Sequence, residues 1–142
     1  MFINIKKLNE KAIIPKYAKN GDAGLDLIAI SKNFINEKEY GFVEYDTGIA
    51  LEIPEGYIGL IFPRSSISTT GMILANSVGL SDPNYRGSIK CRFKWIPETK
   101  MYEVGDKIAQ LVILPYPQIE FKEVNELSKT ERNDMAFGSS GK

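Results

Sequence analysis

The clearest pattern of apolar and polar positions lies in residues 88–95, where the two classes alternate at every position. Such alternation is typical of a β-strand with one face in the core and the other in solvent. Residues 108–114 are almost wholly apolar and lie between a Gly-Asp pair and a proline. This second pattern predicts a strand that is buried on both faces.

A turn is predicted at Pro54-Glu55-Gly56, because apolar residues alternate from position 49 to 53 before it and from 58 to 62 after it. We therefore predict a β-hairpin over residues 48–62. Residues 2–8 and 25–30 are weaker strand candidates.

Helical character is confined to residues 64–70, and it is weak because most of these residues are Ser or Thr, whose hydroxyls compete for backbone hydrogen bonds. Short strands separated by Gly and Pro, without a long stretch of helical periodicity, favour an all-β antiparallel sandwich, jelly roll or barrel with at most one short helix. The polar, Gly- and Ser-rich end of the chain is expected to be mobile unless something orders it.

Composition limits the possible functions. The chain has 142 residues, of which 43% are hydrophobic, and this suits one domain. The 18 basic and 18 acidic residues cancel, so no overall field attracts nucleic acid or a membrane, and an anionic ligand needs locally placed groups. Histidine is absent, which excludes histidine-based catalysis and imidazole zinc sites. Catalysis would have to use carboxylates, cations, hydroxyls and the backbone.

The expected location is intracellular. Cys91 is the only cysteine, so an intrachain disulfide is impossible and a reducing compartment is the simple interpretation. The N-terminal residues lack the order of a signal peptide, and the longest apolar run is too short to span a bilayer. We expect a cytoplasmic protein that binds neither nucleic acid nor membrane. A nuclear location and a viral gene both stay open.

Five segments place glycine beside charged or hydroxyl residues at predicted strand ends. In the first, residues 22–27, the acidic pair Asp22 and Asp26 either forms a turn or orients water on a hard cation such as Mg²⁺. In the second, residues 62–66, Arg64 and two serines at a helix start either hold phosphate or form an ordinary capped helix.

The third segment, residues 76–87, leads directly into the alternating strand. Its Asp82-Pro83-Asn84 order predicts a type I turn at a hairpin tip, and Pro83 forces Asp82 to be extended. Asp82 is either a simple turn carboxylate or the natural general base of a chain without histidine.

The fourth and fifth segments are residues 105–111 and 132–142. Gln110 interrupts an apolar run and needs hydrogen-bond partners, which backbone groups alone could provide. The last segment superficially resembles a phosphate loop, but Ala136 replaces the first glycine and no hydroxyl follows Lys142, so that motif is rejected. The Gly/Ser backbone there could wrap an anion, or the tail could simply be disordered.

In order and spacing the five segments resemble the five motifs of the trimeric dUTP pyrophosphatase (dUTPase) family, over nearly the whole chain. The resemblance implies a distorted antiparallel β-barrel or jelly roll in residues 1–129. It also implies a C-terminal arm in residues 130–142, which is exchanged in a homotrimer and closes over a shared active site.

The same resemblance implies hydrolysis of dUTP to dUMP and pyrophosphate, which removes dUTP and supplies dUMP for thymidylate synthesis. It assigns Asp82 as the carboxylate that activates the attacking water. It assigns Asp26 to hold Mg²⁺ through water, with triphosphate oxygens as direct ligands. The substrate-binding positions that it implies are Arg64, Ser65, Ser66, Asn76, Gly79, Leu80, Ser81, Tyr85, Ser88, Lys90, Gln110, Arg132, Phe137, Gly138 and Ser139.

Within that set, Asn76 and the backbone of the Leu80–Asn84 hairpin match the groups that contact uracil, and Tyr85 matches the ring under the deoxyribose. Phe137 matches the aromatic residue of the arm that covers the base. Asn133 and Ala136 depart from the pattern, since they stand where the family's arm carries glycines and so bear on the backbone angles available there.

Two alternatives remain. The related dCTP deaminases share the fold and an Arg-Ser-Ser stretch, but they need a carboxylate beside C4 of cytosine, and the third segment has no glutamate. A non-enzymatic regulator could keep the nucleotide pocket and use arm order to choose a protein partner. The retained Asp82 favours an enzyme.

Overall fold

The computed structural model describes residues 1–35 and 41–134. Within these residues the chain is all-β, as predicted, with ten strands and one 3₁₀ helix, Ser65–Thr69. The strands are β1 (Asn4–Lys7), β2 (Leu25–Ile28), β3 (Ser31–Ile35), β4 (Phe42–Asp46), β5 (Ile49–Glu52), β6 (Tyr57–Phe62), β7 (Met72–Leu74), β8 (Gly79–Ser81), β9 (Lys90–Trp95) and β10 (Lys107–Pro115).

Two four-stranded antiparallel sheets share one apolar core. Sheet I has the order β2-β10-β6-β8, sheet II has the order β3-β4-β9-β7, and β1 pairs with β5 in a separate two-stranded sheet. The core contains Leu27 and Leu111 from sheet I together with Tyr45 and Phe93 from sheet II. The rings of Tyr45 and Phe93 meet edge to face at 5.6 Å, which is a favourable aromatic geometry.

The alternating strand is confirmed. The strand observed is β9, which begins two residues later than predicted; its Cys91 and Phe93 are buried while Lys90 and Arg92 face solvent. Burial raises the pKa of the Cys91 thiol to about 12. The thiol therefore stays protonated and acts as a small core side chain.

The apolar strand is β10, but burial on both faces holds only for its first half. Ile108, Ala109 and Leu111 are buried, whereas Leu114 is 42% exposed. β2 begins opposite Leu111. Beyond that point β10 pairs only with β6, and this half of the strand is the more exposed one.

The hairpin predicted over residues 48–62 is wrong in its pairing. The turn exists, with the amide of Tyr57 donating to the carbonyl of Pro54 at 3.2 Å and Gly56 at φ 80°, as a type II turn requires. However, β5 pairs with β1 while β6 joins sheet I. The turn therefore carries the chain from one sheet to another.

The hairpin tip predicted at Asp82-Pro83-Asn84 needs the same correction. The turn is closed by a hydrogen bond from the amide of Tyr85 to the carbonyl of Asp82, 3.1 Å. The strands on either side lie in different sheets, because β8 pairs with β6 and β9 pairs with β4 and β7. The turn is thus a crossing between sheets rather than the end of a hairpin.

The helix predicted over residues 64–70 is confirmed in a tight form. The hydroxyls of Ser68, Thr69 and Thr70 each donate to the carbonyl three residues earlier, at 2.7–2.8 Å. This is the competition between side chain and backbone expected of hydroxyl residues. It accounts for a single 3₁₀ segment in place of an α-helix.

Sheet formation ends at Pro115, and residues 117–134 are exposed throughout without a strand or helix. Four of their apolar side chains are at least half exposed, namely Ile119, Phe121, Val124 and Leu127. Across the described residues, no helix has the length and apolar character needed to cross a bilayer.

Sheet II carries a buried carboxylate, Glu44, on the side of β4 that faces away from the core. Lys90 Nζ lies 2.9 Å from its Oε1, and Arg92 Nε lies 2.8 Å from its Oε2. Burial by itself would raise the pKa of Glu44, but the hydrogen bonds and charges of Lys90 and Arg92 together outweigh burial and lower the pKa below its usual value of 4.5.

We predict that Glu44→Gln destabilises the protein at pH 7 and that this penalty shrinks on acidification. A lowered pKa in the folded state adds stability above pH 4.5, and that stability is lost as the pH falls through the folded-state pKa. The measurement is urea unfolding of both proteins between pH 3 and pH 7 at one protein concentration. The exposed Glu120→Gln is the control, and a Glu44→Gln penalty that does not change with pH would contradict the prediction.

Candidate active site

Antiparallel register in sheet I brings the first and fourth motifs together. Asp26 of β2 lies directly opposite Gln110 of β10, and Gln110 in turn lies opposite Phe62 at the end of β6. Directly paired residues point to the same face of a sheet. The carboxylate, the amide and the end of β6, which leads into Arg64, therefore lie on one row.

Asp26 is held between two cations and is only 8% exposed. Arg64 Nε lies 2.9 Å from its Oδ1, and Lys107 Nζ lies 2.7 Å from its Oδ2. A break in register between Lys107 and Ala109 sets Lys107 opposite Ile28, two residues from Asp26 and on the same face. Simple alternation would have placed Lys107 and Gln110 on opposite faces, which is why sequence reasoning missed Lys107.

Gln110 joins three motifs. Its Nε2 donates to the carbonyl of Pro63 at 3.0 Å. A backbone group therefore provides a hydrogen-bond partner for the amide, as expected from the sequence. A Cβ added at Gly24 would lie 2.6 Å from Gln110 Oε1, so only glycine allows this approach. The first, second and fourth motifs are therefore packed into one cluster around Asp26, Arg64 and Gln110.

The 3₁₀ helix borders a cavity beside this cluster. Arg64, Ser66, Tyr102 and Lys107 are among its lining residues, and its volume is about 370 Å³, within the range of small-molecule sites. Ser66 Oγ lies 3.4 Å from both Arg64 Nη1 and the Tyr102 hydroxyl. Ser65 is the first residue of the helix, which has no side-chain cap. Tyr102 carries no sequence signal that would have predicted its place here.

The third motif forms a second group along β8. Gly79 and Ser81 are buried opposite Ile61 and Gly59 of β6, whereas Leu80 is 62% exposed. Asn76 Nδ2 lies 3.5 Å from where a Cβ on Gly79 would stand. Asp82 follows directly and is exposed on its turn.

Tyr85 closes this second group. Its hydroxyl donates to the carbonyl of Ser88 at 3.0 Å, and its ring occupies the space that a Cβ on Gly87 would need. The hydroxyl of Ser88 donates a hydrogen bond to the carboxylate of Asp46. Lys90 lies farther along, on sheet II, where it pairs with Glu44.

The two groups are far apart within one chain. Asp82 lies four residues along the strands from the row of Asp26 and three strands across sheet I. With about 3.3 Å per residue and about 4.8 Å between strands, the separation is roughly 20 Å. At this separation the two carboxylates do not contact each other within one subunit.

The predicted arm is described only in part. Arg132 is exposed in the segment that leaves the sheets. Asn133 has φ 44°, in the left-handed region that favours glycine, and its side chain accepts a hydrogen bond from the amide of Thr130. Asparagine tolerates this conformation better than most residues. Phe137, Gly138 and Ser139 lie outside the described residues.

The fit of a metal ion depends on Asp26. Among residues 1–35 and 41–134, no three carboxylate, cysteine or histidine groups cluster as a metal site would require. Asp26 Oδ2 is buried, and its partner among the described residues is the ammonium of Lys107, 2.7 Å away. A carboxylate is the type of ligand that hydrated Mg²⁺ takes beside several waters and phosphate oxygens, and Lys107 would have to move away from Asp26 for the ion to approach.

Comparisons of the sequence with known proteins match it to one family. A family model described as dUTPase matches residues 10–141. The deoxyuridine 5'-triphosphate nucleotidohydrolase of Hydrogenobaculum sp. is 41% identical over 143 residues, with 99% of each chain covered.

Solved structures similar to this chain are also dUTPases. A mutant dUTPase of Staphylococcus bacteriophage 80alpha with dUpNHpp is 29% identical, with a TM-score of 0.81 over 99% of this chain and 98% of that one. A mutant dUTPase from phage phi11 of S. aureus, which coordinates a structural Mg(II) ion, is 26% identical, with a TM-score of 0.72 over 89% and 98%.

Gln110→Leu tests the link between the motifs. We predict a loss of about 1 to 3 kcal/mol in the free energy of unfolding, because the carbonyl of Pro63 loses its donor. Gln118→Leu, in the exposed segment after β10, is the matched control and should leave stability within about 0.5 kcal/mol. Urea denaturation at a fixed protein concentration measures both, and equal midpoints for the two variants would refute the link.

Proposed function

This chain belongs to the dUTPase family, and we propose that it hydrolyses dUTP to dUMP and pyrophosphate at sites shared between subunits, removing dUTP and supplying dUMP for thymidylate synthesis. The observation that carries the proposal is the match of the family model over residues 10–141, a range that contains or overlaps all five motifs. The separation of Asp26 from Asp82 within one chain supports the shared site.

In this proposal Asp82 is the general base. It takes a proton from a water whose oxygen attacks the α-phosphorus, and the bond from that phosphorus to the oxygen bridging the β-phosphorus breaks. A positioned base contributes about 10² to 10⁴ in rate. The turn supports this role, because Pro83 and the bond from Tyr85 restrict the backbone at Asp82 while the side chain remains exposed.

The phosphate side is formed by the cluster around Asp26. A triphosphate carries about four negative charges, and the chain has no net charge to offset them. Arg64 and the free N–H groups of Ser65 and Ser66 would bind phosphate oxygens, and Gln110 would keep this segment in place. Asp26 would hold Mg²⁺ through water, and Mg²⁺ when bound would neutralise charge that develops on the phosphates.

The base side is formed by the third motif. Asn76 and the backbone of Gly79, Leu80 and Ser81 would read the uracil edge, and the ring of Tyr85 would support the deoxyribose. Lys90 and Ser88 would complete this part of the site. Backbone groups on a strand paired to β6 are rigid, and a site built to hydrogen-bond one base rejects another by leaving its buried groups unpaired.

A homotrimer would complete the site. A base acts within hydrogen-bond reach, directly or through one water, so carboxylates roughly 20 Å apart in one chain do not serve one triphosphate. Asp82 would therefore come from a neighbouring subunit. The exposed segment 117–134 supports arm exchange, with Arg132, Phe137, Gly138 and Ser139 closing over a neighbour's site.

Asp82→Asn tests the chemistry. We predict that kcat for dUTP falls by about 10² to 10⁴, because an amide does not accept the proton, while binding of dUTP changes little. Pyrophosphate release is measured with dUTP, dCTP, dTTP and UTP, with and without Mg²⁺. Wild-type activity in this variant would refute the role of Asp82. For the wild-type protein, ammonia release from dCTP would indicate a deaminase. Tight binding of dUTP without turnover would indicate a regulator.

Mixing two impaired variants tests the shared site. Asp26→Asn and Asp82→Asn chains, co-expressed with different tags and purified through both, form mixed trimers. Some sites in these trimers combine an intact Asp26 from one chain with an intact Asp82 from its neighbour, so activity should rise well above that of either homotrimer. Mixed trimers without recovered activity would place both carboxylates in one subunit and overturn the shared site.

A further inference from the structure

Arg86 folds back over the turn that carries Asp82. Its Nη1 donates to the carbonyl of Pro83 at 2.5 Å and to the carbonyl of Tyr85 at 3.1 Å. One guanidinium nitrogen therefore bridges the second and fourth residues of the turn. None of the roles assigned to the motifs above involves this side chain.

These bonds supply restraint that the turn otherwise lacks. The turn's own backbone hydrogen bond runs from the amide of Tyr85 to the carbonyl of Asp82, and Pro83 has no N–H to donate. Hydrogen bonds from a charged donor are about twice as strong as neutral ones. Arg86 thus holds the carbonyls of Pro83 and Tyr85, the second and fourth residues of the turn.

The guanidinium is itself tied to the two-stranded sheet. Arg86 Nη2 lies 3.5 Å from Glu52 Oε1, and Glu52 Oε2 accepts a hydrogen bond of 2.7 Å from Asn4 Nδ2. Asn4 and Glu52 are directly paired residues of β1 and β5. Arg86 and Glu52 are about half exposed, so their ion pair adds little stability by itself, but it places the guanidinium between the turn and the β1-β5 sheet.

We propose that Arg86 is a positioning residue, which orients the Asp82 turn against the β1-β5 sheet and so sets the place of the Asp82 carboxylate. The proposal rests on the proposed function, in which Asp82 is the general base. Arg86 acts through Asp82 and does not contact the substrate. Displacing a catalytic group by about 1 Å can cost about 10²-fold in rate, so loss of this restraint is expected to lower kcat rather than raise KM.

The experiment measures kcat and KM for dUTP in Arg86→Met, Arg86→Lys and Glu52→Gln. We expect Arg86→Met to lower kcat by about 10- to 100-fold with little change in KM. Arg86→Lys should recover only part of the loss, because an ammonium has no second nitrogen to reach Glu52 while the first bonds both carbonyls. Glu52→Gln should lower kcat in the same direction by less. Lys32→Met, which removes another ion pair with an exposed carboxylate, is the control and should leave both constants unchanged.

A double variant separates this proposal from the proposed function. If Arg86 acts through Asp82, then Asp82→Asn and the double variant Arg86→Met/Asp82→Asn have nearly equal kcat, because the effects of coupled residues do not add. Fully additive losses, or a raised KM with unchanged kcat in Arg86→Met, would overturn the positioning role and leave the role of Asp82 intact. Wild-type kcat in Asp82→Asn alone would instead refute Asp82 as the general base, and a wild-type protein that does not turn over dUTP would refute the proposed function. Sedimentation and thermal unfolding of each variant confirm that the compared proteins are assembled and folded.

Discussion

The antiparallel register of sheet I determines where the candidate groups lie. Asp26, Gln110 and Phe62 occupy one row of sheet I. The carboxylate and the amide therefore lie close to Arg64, just before the 3₁₀ helix, and no long loop is needed to bring them there. The same register places β8 on the far side of β6 and directs Asp82 away from that row. A single sheet thus assembles one part of the site and separates the other part from it.

Pairing of buried carboxylates with nearby cations is the second constraint on the structure. The chain has 18 basic and 18 acidic residues and no net charge. Arg64 and Lys107 neutralise Asp26, and Lys90 and Arg92 neutralise Glu44. A buried carboxylate is tolerated only when it is paired in this way. For an incoming triphosphate the consequence is direct, because phosphate oxygens and Asp26 would compete for Arg64 and Lys107.

Sequence patterns predicted strand character well and pairing poorly. Alternation located β9, and an almost wholly apolar run located β10, because both signals come from burial of nearby residues. The turns at Pro54-Glu55-Gly56 and Asp82-Pro83-Asn84 were also correct. Their partners were not, because a turn sequence fixes local angles but not which sheet the next strand joins. β4 has no alternation to detect, since it is buried almost throughout and includes Glu44.

The candidate site shows the same division. Asp26, Arg64, Ser66 and Gln110, which were singled out in the sequence, do lie together. Asp22 instead accepts the amide of Lys19 in an exposed turn, and Lys107 was missed because a break in register reversed its expected face. Arg86 was missed for a different reason. Its bonds to the carbonyls of Pro83 and Tyr85 depend on the conformation of the turn, and no pattern of residue types records that a side chain folds back over its own backbone.

The position of Asp82 joins these constraints. A general base needs access to solvent and a fixed direction, and an exposed side chain on a short turn offers the first without the second. Pro83 restricts one backbone angle, the Tyr85 amide closes the turn, and Arg86 ties the remaining carbonyls to Glu52 and β5. In the proposed function these contacts would set the direction of the Asp82 carboxylate, and the side chain remains exposed to solvent.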